Sequence, residues 1–437
     1  MTTLADFPVK AEAQPYLEAA SGFADQPGWL AQRRRRALAR FAELGFPNRR
    51  GEAWRYLDLR PLAQGPLLPA GAVGAASLTL LGEIGFPDVA HRLVLVDGRL
   101  APGLSTVAGL PPGVWLGSTR DAVESRPDLV ATALEALSQD RDQPFAALNA
   151  ASFDDGFVLD VAPEVSLEEP IEIAHVASGG VPVSLHTRSI VMLGRESRAR
   201  VIETFTGRGR YWRNDVVAAR LAAGAALDRV ALVEEANNAV HLGAFDAELG
   251  RAARLASFAL LLGGDTIRHE VVVRATGEGT SCGLYGAFLA TGRRQANLVT
   301  TVDHQAAGGE TREVFKGVAA GRGHGAFQGR ITVRQAAQRV DAHMLSRNLI
   351  LGQRAAIDTK PELEIFADDV KCSHGAAVGD LDEAALFYLL ARGIPRDKAR
   401  HMLVEAFVRE AIDVVDPPAV REHLLYRLGR CLAALEE

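Results

Sequence analysis

The chain reads as mainly β: a solenoid core flanked by a partly helical N-terminal segment and a helical C-terminal one. Three observations predict this. From about Phe157, runs of four to eight residues rich in Val, Ile, Leu, Thr and Phe recur between glycine turns, and most alternate apolar with polar as half-buried strands do. One glycine from each of six turns (Gly194, Gly224, Gly250, Gly277, Gly323, Gly352) gives intervals of 30, 26, 27, 46 and 29, the long one close to two short ones. No long helical stripe intervenes before residue 380. Self-similarity at this period is what stacked coils produce, because each coil buries its inner face only against its neighbours. A sandwich would give shorter, less regular spacing.

Residues 1–150 form a mixed, partly helical domain with a linker. Trp29 to Leu44 carries Leu30, Ala37, Leu38, Phe41 and Leu44 at helical spacing and stops at Gly45, with Pro47 beyond. Arg33 to Arg36 in its middle read as a solvated face, since nothing else in an acidic chain makes a basic patch. GEAWRYLDLRPL, residues 51–62, sets Trp54 and Tyr56 near a turn as an aromatic anchor. Residues 61–90, rich in Gly, Pro, Ala and Leu, read as loop. His91 to Asp97 is a short strand and Asp121 to Leu137 a helix.

Residues 151–379 are the solenoid core, with strands at FVLDV, PIEIAHV, SIVML, RVIETFT, RVALVEE, HEVVVRA, NLVTTVDHQ and RITVRQ. Residues 380–437 turn helical. Asp380 and Glu383 have capping-box spacing for a first helix that stops at Gly393. Pro395 opens a second, with Ala399, Met402, Leu403, Ala406, Phe407 and Ile412 on one stripe. Pro417-Pro418 breaks the chain before a last helix aligned on Val420, Leu424, Leu425, Leu428, Cys431, Leu432 and Leu435. These helices are expected to cap the solenoid's open edge and to offer a partner surface.

A formal charge of −6 argues against a nucleic-acid partner. Cys282, Cys372 and Cys431 are too few and too scattered for a disulfide framework, and there is no CxxC. The first thirty residues show no signal-peptide pattern, and the longest apolar runs, such as Phe258 to Leu262, are far short of the ~20 residues of a membrane span. A soluble cytoplasmic protein is expected, with no membrane partner.

No GxxxxGK[ST] or HExxH occurs, so the chain is expected to have no nucleotide site of its own. His269, His304, His324 and His343 fall one to a coil and read as structural. Asp303-His304 looks like an orienting pair with no nucleophile, and Cys282 like a small core residue at a corner. The dense stretch is Ala355 to Gly379. If it is extended, Asp368, Val370, Cys372 and His374 share one face and Asp369, Lys371 and Ser373 the other. A thiol and an imidazole side by side suit a soft metal or an iron–sulfur cluster. They equally suit a packed thiol beside a bonded histidine, because two ligands do not define a metal site.

That stretch, AAIDTKPELEIFADDVKCSHGAAVG, with LFYLLARGI after it, resembles the signature of the SufB/SufD iron–sulfur cluster assembly scaffolds. The likeness runs upstream through Phe315-Lys316-Gly317-Val318, Gly325-Ala-Phe-Gln-Gly-Arg330, Gln338, Asp341-Ala342 and Asn348-Leu349, and downstream through the second C-terminal helix. It is dense over about a hundred residues and weaker back to about residue 150. GEAWRYLDL and Lys-Cys-Ser-His-Gly-Ala are similar to SufD, where SufB has a form like Cys-Glu-His-Glu-Ala.

The resemblance implies a right-handed parallel β-helix in a complex with a SufB-like subunit and two copies of a SufC-like ABC ATPase. It implies that the last coils pack on SufB and that the C-terminal helices dock the ATPase, with Leu386, Tyr388, Arg392, Ile394 and Phe407 as candidate contacts. It makes His374, then Cys372, candidate ligands of iron or a transient cluster. The expected role is a non-catalytic scaffold subunit, building a cluster or acquiring iron at the SufB interface. Two alternatives stand: a purely structural partner without metal, and a solenoid carbohydrate-active enzyme, for which Glu203, Asp228, Glu234, Glu270 and Asp303 lack the required clustering. A solenoid edge also permits a homodimer.

Overall fold

The computed structural model describes residues 11–23, 28–69, 81–82, 85–87, 89–137 and 143–433. The strands expected after Phe157 form, and more join them. They are β4 (Phe157–Val161), β5 (Ile171–Ala177), β6 (Val183–Leu193), β7 (Arg198–Gly207), β8 (Tyr211–Leu221), β9 (Ala226–Glu234), β10 (Val240–Leu249), β11 (Arg254–Leu261), β12 (Thr266–Ala275) and β13 (Ser281–Ala290). Then come β14 (Gln295–His304), β15 (Glu310–Ala320), β16 (His324–Val333), β17 (Asp341–Leu351), β18 (Ala356–Ile365) and β19 (Lys371–Gly379). Odd strands stack in one sheet and even strands in the other, all in parallel, each consecutive pair making one coil.

Ser281, Glu310, Asp341 and Lys371 stand in register, so a coil consumes about 30 residues. The long glycine interval has a different origin from the doubling expected. Gly194, Gly224, Gly250 and Gly277 follow even strands, whereas Gly323 and Gly352 follow odd ones. The series therefore switches corners, and 46 residues is about a coil and a half. The corners are tight. A Cβ on Gly277 would lie 2.0 Å from the Arg251 nitrogen, and one on Gly323 1.9 Å from the Ala290 oxygen.

Side chains alternate in and out, and inward ones pile into rows. Val217, Phe245 and Val271 are paired neighbours in the enclosed core. Each fully buried phenylalanine of this kind contributes about 2–3 kcal/mol.

The 1–150 segment adds strands to both sheets. β1 (His91–Val96), where a short strand was expected, runs parallel to β5. β2 (Arg99–Leu100) and β3 (Val114–Ser118) are antiparallel to β1 and β4 and finish this end of the solenoid. The helices are α1 (Gln14–Ser21), α2 (Gly28–Leu44), α3 (Arg60–Gln64), α4 (Thr119–Ser125), α5 (Pro127–Leu137) and α6 (Pro144–Ser152). The single helix expected over Asp121 to Leu137 is two, because Pro127 cannot continue a helix and instead starts one. Helices α1, α2 and α6 pack on the outer face of the even sheet around Trp212 and Leu242. The linker expected at 61–90 starts with α3, and its stretch 70–80 lies outside the described residues.

Two expectations for the C-terminus change. In α7 (Glu383–Leu390) the N-cap is Asp382, which accepts from the backbone nitrogens of Ala384 (2.8 Å) and Ala385 (3.2 Å). Asp-Leu-Asp offers two acceptors, and the helix starts on the second, two residues later than expected. Helices α8 (Arg396–Ile412) and α9 (Pro418–Ala433) do not cap the solenoid's end. They lie on the side of the odd sheet, clustering Val404, Val408, Leu424 and Leu428 with outward-facing Val230, Leu232, Phe258 and Leu260. That sheet face is broad and apolar, so a helix pair buries more on it than on the narrow end of one coil. Arg427 clamps Glu234 at 2.5 and 2.9 Å, and buried Lys316 pairs with Glu410 while its ammonium sits 4.3 Å from the Phe407 ring centre.

Candidate functional site

The last coil has a neighbour on one side only. In β19, Cys372 pairs with Ala342 and His374 with Met344, and both partners are fully buried core residues. Cys372 and His374 therefore continue the inward rows of the solenoid. In β18 the matching inward positions are Ile357, Thr359, Pro361, Leu363 and Ile365, above Gly325, Phe327, Gly329, Ile331 and Val333. Among the described residues no strand pairs beyond β18 or β19. Groups that would be core one coil earlier are thus uncovered: Val378 and Ile365 are each 41 % exposed.

Cys372 is half-buried and packs against the core, while His374 is exposed. His374 makes no hydrogen bond among the described residues. Burial pushes the Cys372 thiol up and the nearby Asp341 adds to this, against a hydrogen bond with the Ala342 backbone. At neutral pH the sulfur carries its proton, and a soft metal must displace it to bind. The face-sharing expected back to Asp368 fails, because the strand begins at Lys371 and Asp368 lies in the preceding bend. Its neighbour Asp369 is held there by Gln338, whose side-chain oxygen accepts from the Asp369 nitrogen at 2.9 Å. Among the described residues no three His, Cys, Asp or Glu side chains group closely enough to hold a metal. Two donors at an uncovered edge fit a ligand set that another chain completes; they do not make one alone.

The outward face of the same strands holds a chain that sequence reading missed. His343 Nδ1 meets Ser373 Oγ at 2.5 Å, and its Nε2 meets Asp341 Oδ1 at 2.8 Å, where Arg312 also binds at 2.8 Å. Arg312 holds the Asp341 carboxyl below its usual range. The cue was Asp341 and His343 two apart on one strand; their partner Ser373 is thirty residues on and invisible without the coil register.

His304, His324 and His269 are each engaged within the fold. His304 bonds Thr311 at 2.8 Å and points away from Asp303, which binds Arg334 at 2.8 Å. His324 meets Asp358 at 2.7 Å. His269 is buried near Arg229 (3.4 Å) and stacks with His241. Cys282 is a buried core residue, and burial pushes its thiol up.

The carboxylates weighed for glycoside chemistry are each engaged by an arginine: Glu203 by Arg229, Asp228 by Arg254, Glu234 by Arg427, Glu270 by Arg268 and Asp303 by Arg334. The interior charges were not foreseen. Arg213 and Glu235, both fully buried, pair at 2.6 Å, and His241 joins Glu235 at 3.0 Å. Burial alone would raise Glu235, but Arg213 and the bond from His241 overcome it and hold the carboxyl at about 2.

On the C-terminal helices, Leu386 is buried, so it supports the surface from beneath. Tyr388 is exposed with the Arg392 guanidinium 3.4 Å from its ring centre. Ile394 and Phe407 are half-buried, Phe407 under Lys316. Among the described residues the most exposed aromatic is Phe387, 72 % accessible, next to Tyr388.

Two family models match. One, for the SufBD core domain of SUF system FeS cluster assembly, covers residues 175–407; the other, for the SufBD protein N-terminal region, covers 87–173. The chain is 28 % identical over 437 residues to the iron–sulfur cluster assembly SufBD family protein slr0076 of Synechocystis, spanning 97 % of this chain and 94 % of that one. It is 29 % identical over 400 residues to the iron–sulfur cluster assembly protein SufD of Escherichia coli, spanning 90 % and 91 %. To SufD of Bacillus subtilis it is 24 % identical over 294 residues, spanning 66 % and 67 %. With more than half of its length matched by the core model, on a parallel solenoid whose last coil ends in Cys372 and His374, the chain belongs to the SufBD family of the SUF system for iron–sulfur cluster assembly.

Proposed function

We propose that this protein is a SufD-like, non-catalytic scaffold subunit that builds a transient iron–sulfur cluster, or brings iron to one, together with a SufB-like subunit and a SufC-like ABC ATPase in the cytoplasm. The observation that carries the reading is the inward register of Cys372 and His374 on a last coil that nothing covers among the described residues. A SufB-like solenoid end laid against β18 and β19 would extend both sheets and bring its own soft donor to His374. The cluster is cargo. His374 holds one corner through an imidazole nitrogen, Cys372 stands by as a second donor, and ligands shared between two chains separate when the chains move. Exposed Phe387 and Tyr388, with Arg392, form the face for the ATPase, which supplies the nucleotide chemistry.

Co-purification of the tagged chain from its own cells tests this. Recovery of an ABC-type ATPase with a SufB-like subunit is the expected result; a stable homodimer with neither contradicts it. Iron titration of the complex with and without His374 then separates a ligand from a purely structural partner, which would bind equal iron in both.

A further inference from the structure

Away from the last coil, a cavity of 340 Å³ opens between α2, the start of α6 and the outer face of the even sheet. That volume is in the range of small-molecule sites. Its walls are mostly aliphatic, with Leu30 and Ala37 from α2, Ala147 from α6, and Val216, Ala244 and Val272 from the sheet, beside Phe153 and Phe245. Its polar lining is dominated by arginine: Arg33, Arg36 and Arg40 from α2 and Arg188 from β6.

Arg188 is the decisive group. It is 5 % exposed, one guanidinium nitrogen donates to Asn149 Oδ1 at 3.0 Å, and its buried Nε–H has no partner among the described residues. The carboxylate in the lining, Asp246, is bound to Arg274 at 2.8 Å, and Arg40 shares Glu43 at 2.6 Å. A buried cation with an unspent donor, at the foot of an apolar slot edged by further arginines, is matched by a molecule with one anionic head and an aliphatic body. Nucleic acid is a poor fit, because the site is a largely apolar cavity and not a positively charged groove that tracks a backbone.

We infer that this cavity is a binding site for an aliphatic carboxylate, its head on Arg188 and its chain along Ala147, Val216 and Ala244. The site is independent of the cluster-assembly role.

Calorimetric titration of the full chain with decanoate tests it, with decan-1-ol and inorganic phosphate as controls for body and charge. One-to-one decanoate binding is expected, about tenfold or more weaker for both controls and for Arg188→Met. Should Arg188→Met not fold, Ala147→Trp fills the slot without touching the charge and must abolish binding. No decanoate binding at millimolar concentration, or equal binding by Ala147→Trp, overturns the inference. Asp140 and Asp142 fall in the segment joining α5 to α6, outside the described residues. Decanoate binding seen only in the Asp140→Asn/Asp142→Asn variant also overturns it, assigning the arginines to the chain's own carboxylates.

Discussion

Glu313 sits in the interior, in register between Leu284 and Met344, and Thr300 donates to it at 2.7 Å. Burial pushes its carboxyl up to about 8. The unfolded chain releases this proton near the ordinary 4.5 while the fold keeps it, so stability falls as pH rises between the two at about 1.4 kcal/mol per unit. Glu313→Gln removes that slope. In urea denaturation, the loss of stability from pH 6 to pH 8 should be smaller in the variant by about 2 kcal/mol. Equal losses would mean the carboxyl is already ionised.

Arg34 shows what sequence could not reveal at this scale. Amid four arginines in an acidic chain it reads as solvated, yet it is buried and donates to the carbonyls of Ala151 (3.0 Å) and Phe153 (2.8 Å) at the end of α6. Those acceptors are more than a hundred residues away, and no periodicity marks them. Arg34→Ala should lower stability by about 2–3 kcal/mol in thermal or urea unfolding, since it leaves buried acceptors unpaired.

At the scale of elements, the strands with clear apolar runs were legible, including β7 and β9 with their inward Glu203 and Arg229, whereas β8 and β13 were not. β8 places Arg213 and Asp215 inward, and β13 is interrupted by glycine, so neither shows the usual pattern. β18 contains Pro361, which argues against a central strand; it is tolerated because β18 is at the sheet edge. The corner glycines are the sharpest test of stacking. Gly323→Ala drives a methyl into the Ala290 carbonyl and should cost about 3 kcal/mol, read from the urea midpoint. Where α8 meets the sheet, Lys316→Met removes the ion pair to Glu410 and the contact with Phe407. Amide exchange should then quicken over 396–433 and stay unchanged over β4 to β11.

For the whole molecule, the period of the glycine turns conveyed the solenoid, and the Cys372–His374 spacing conveyed the candidate site. That the C-terminal helices leave the last coil uncapped was not legible. It depends on where the C-terminal helices find apolar area, and that area belongs to outward residues such as Phe258 and Leu260 from strands far apart in sequence. One end is finished by the antiparallel strands β2 and β3; the other ends in β18 and β19 with core positions bare. This asymmetry supports a scaffold completed by a second chain.

The most direct measurement is cluster formation, followed by visible absorbance, on the co-purified complex carrying His374→Ala, with Ser373→Ala on the outward face of the same strand as control. His374→Ala is expected to lower cluster yield by about tenfold or more while Ser373→Ala leaves it unchanged and both complexes remain assembled. Wild-type yield in His374→Ala would contradict it and leave the last coil a structural contact alone.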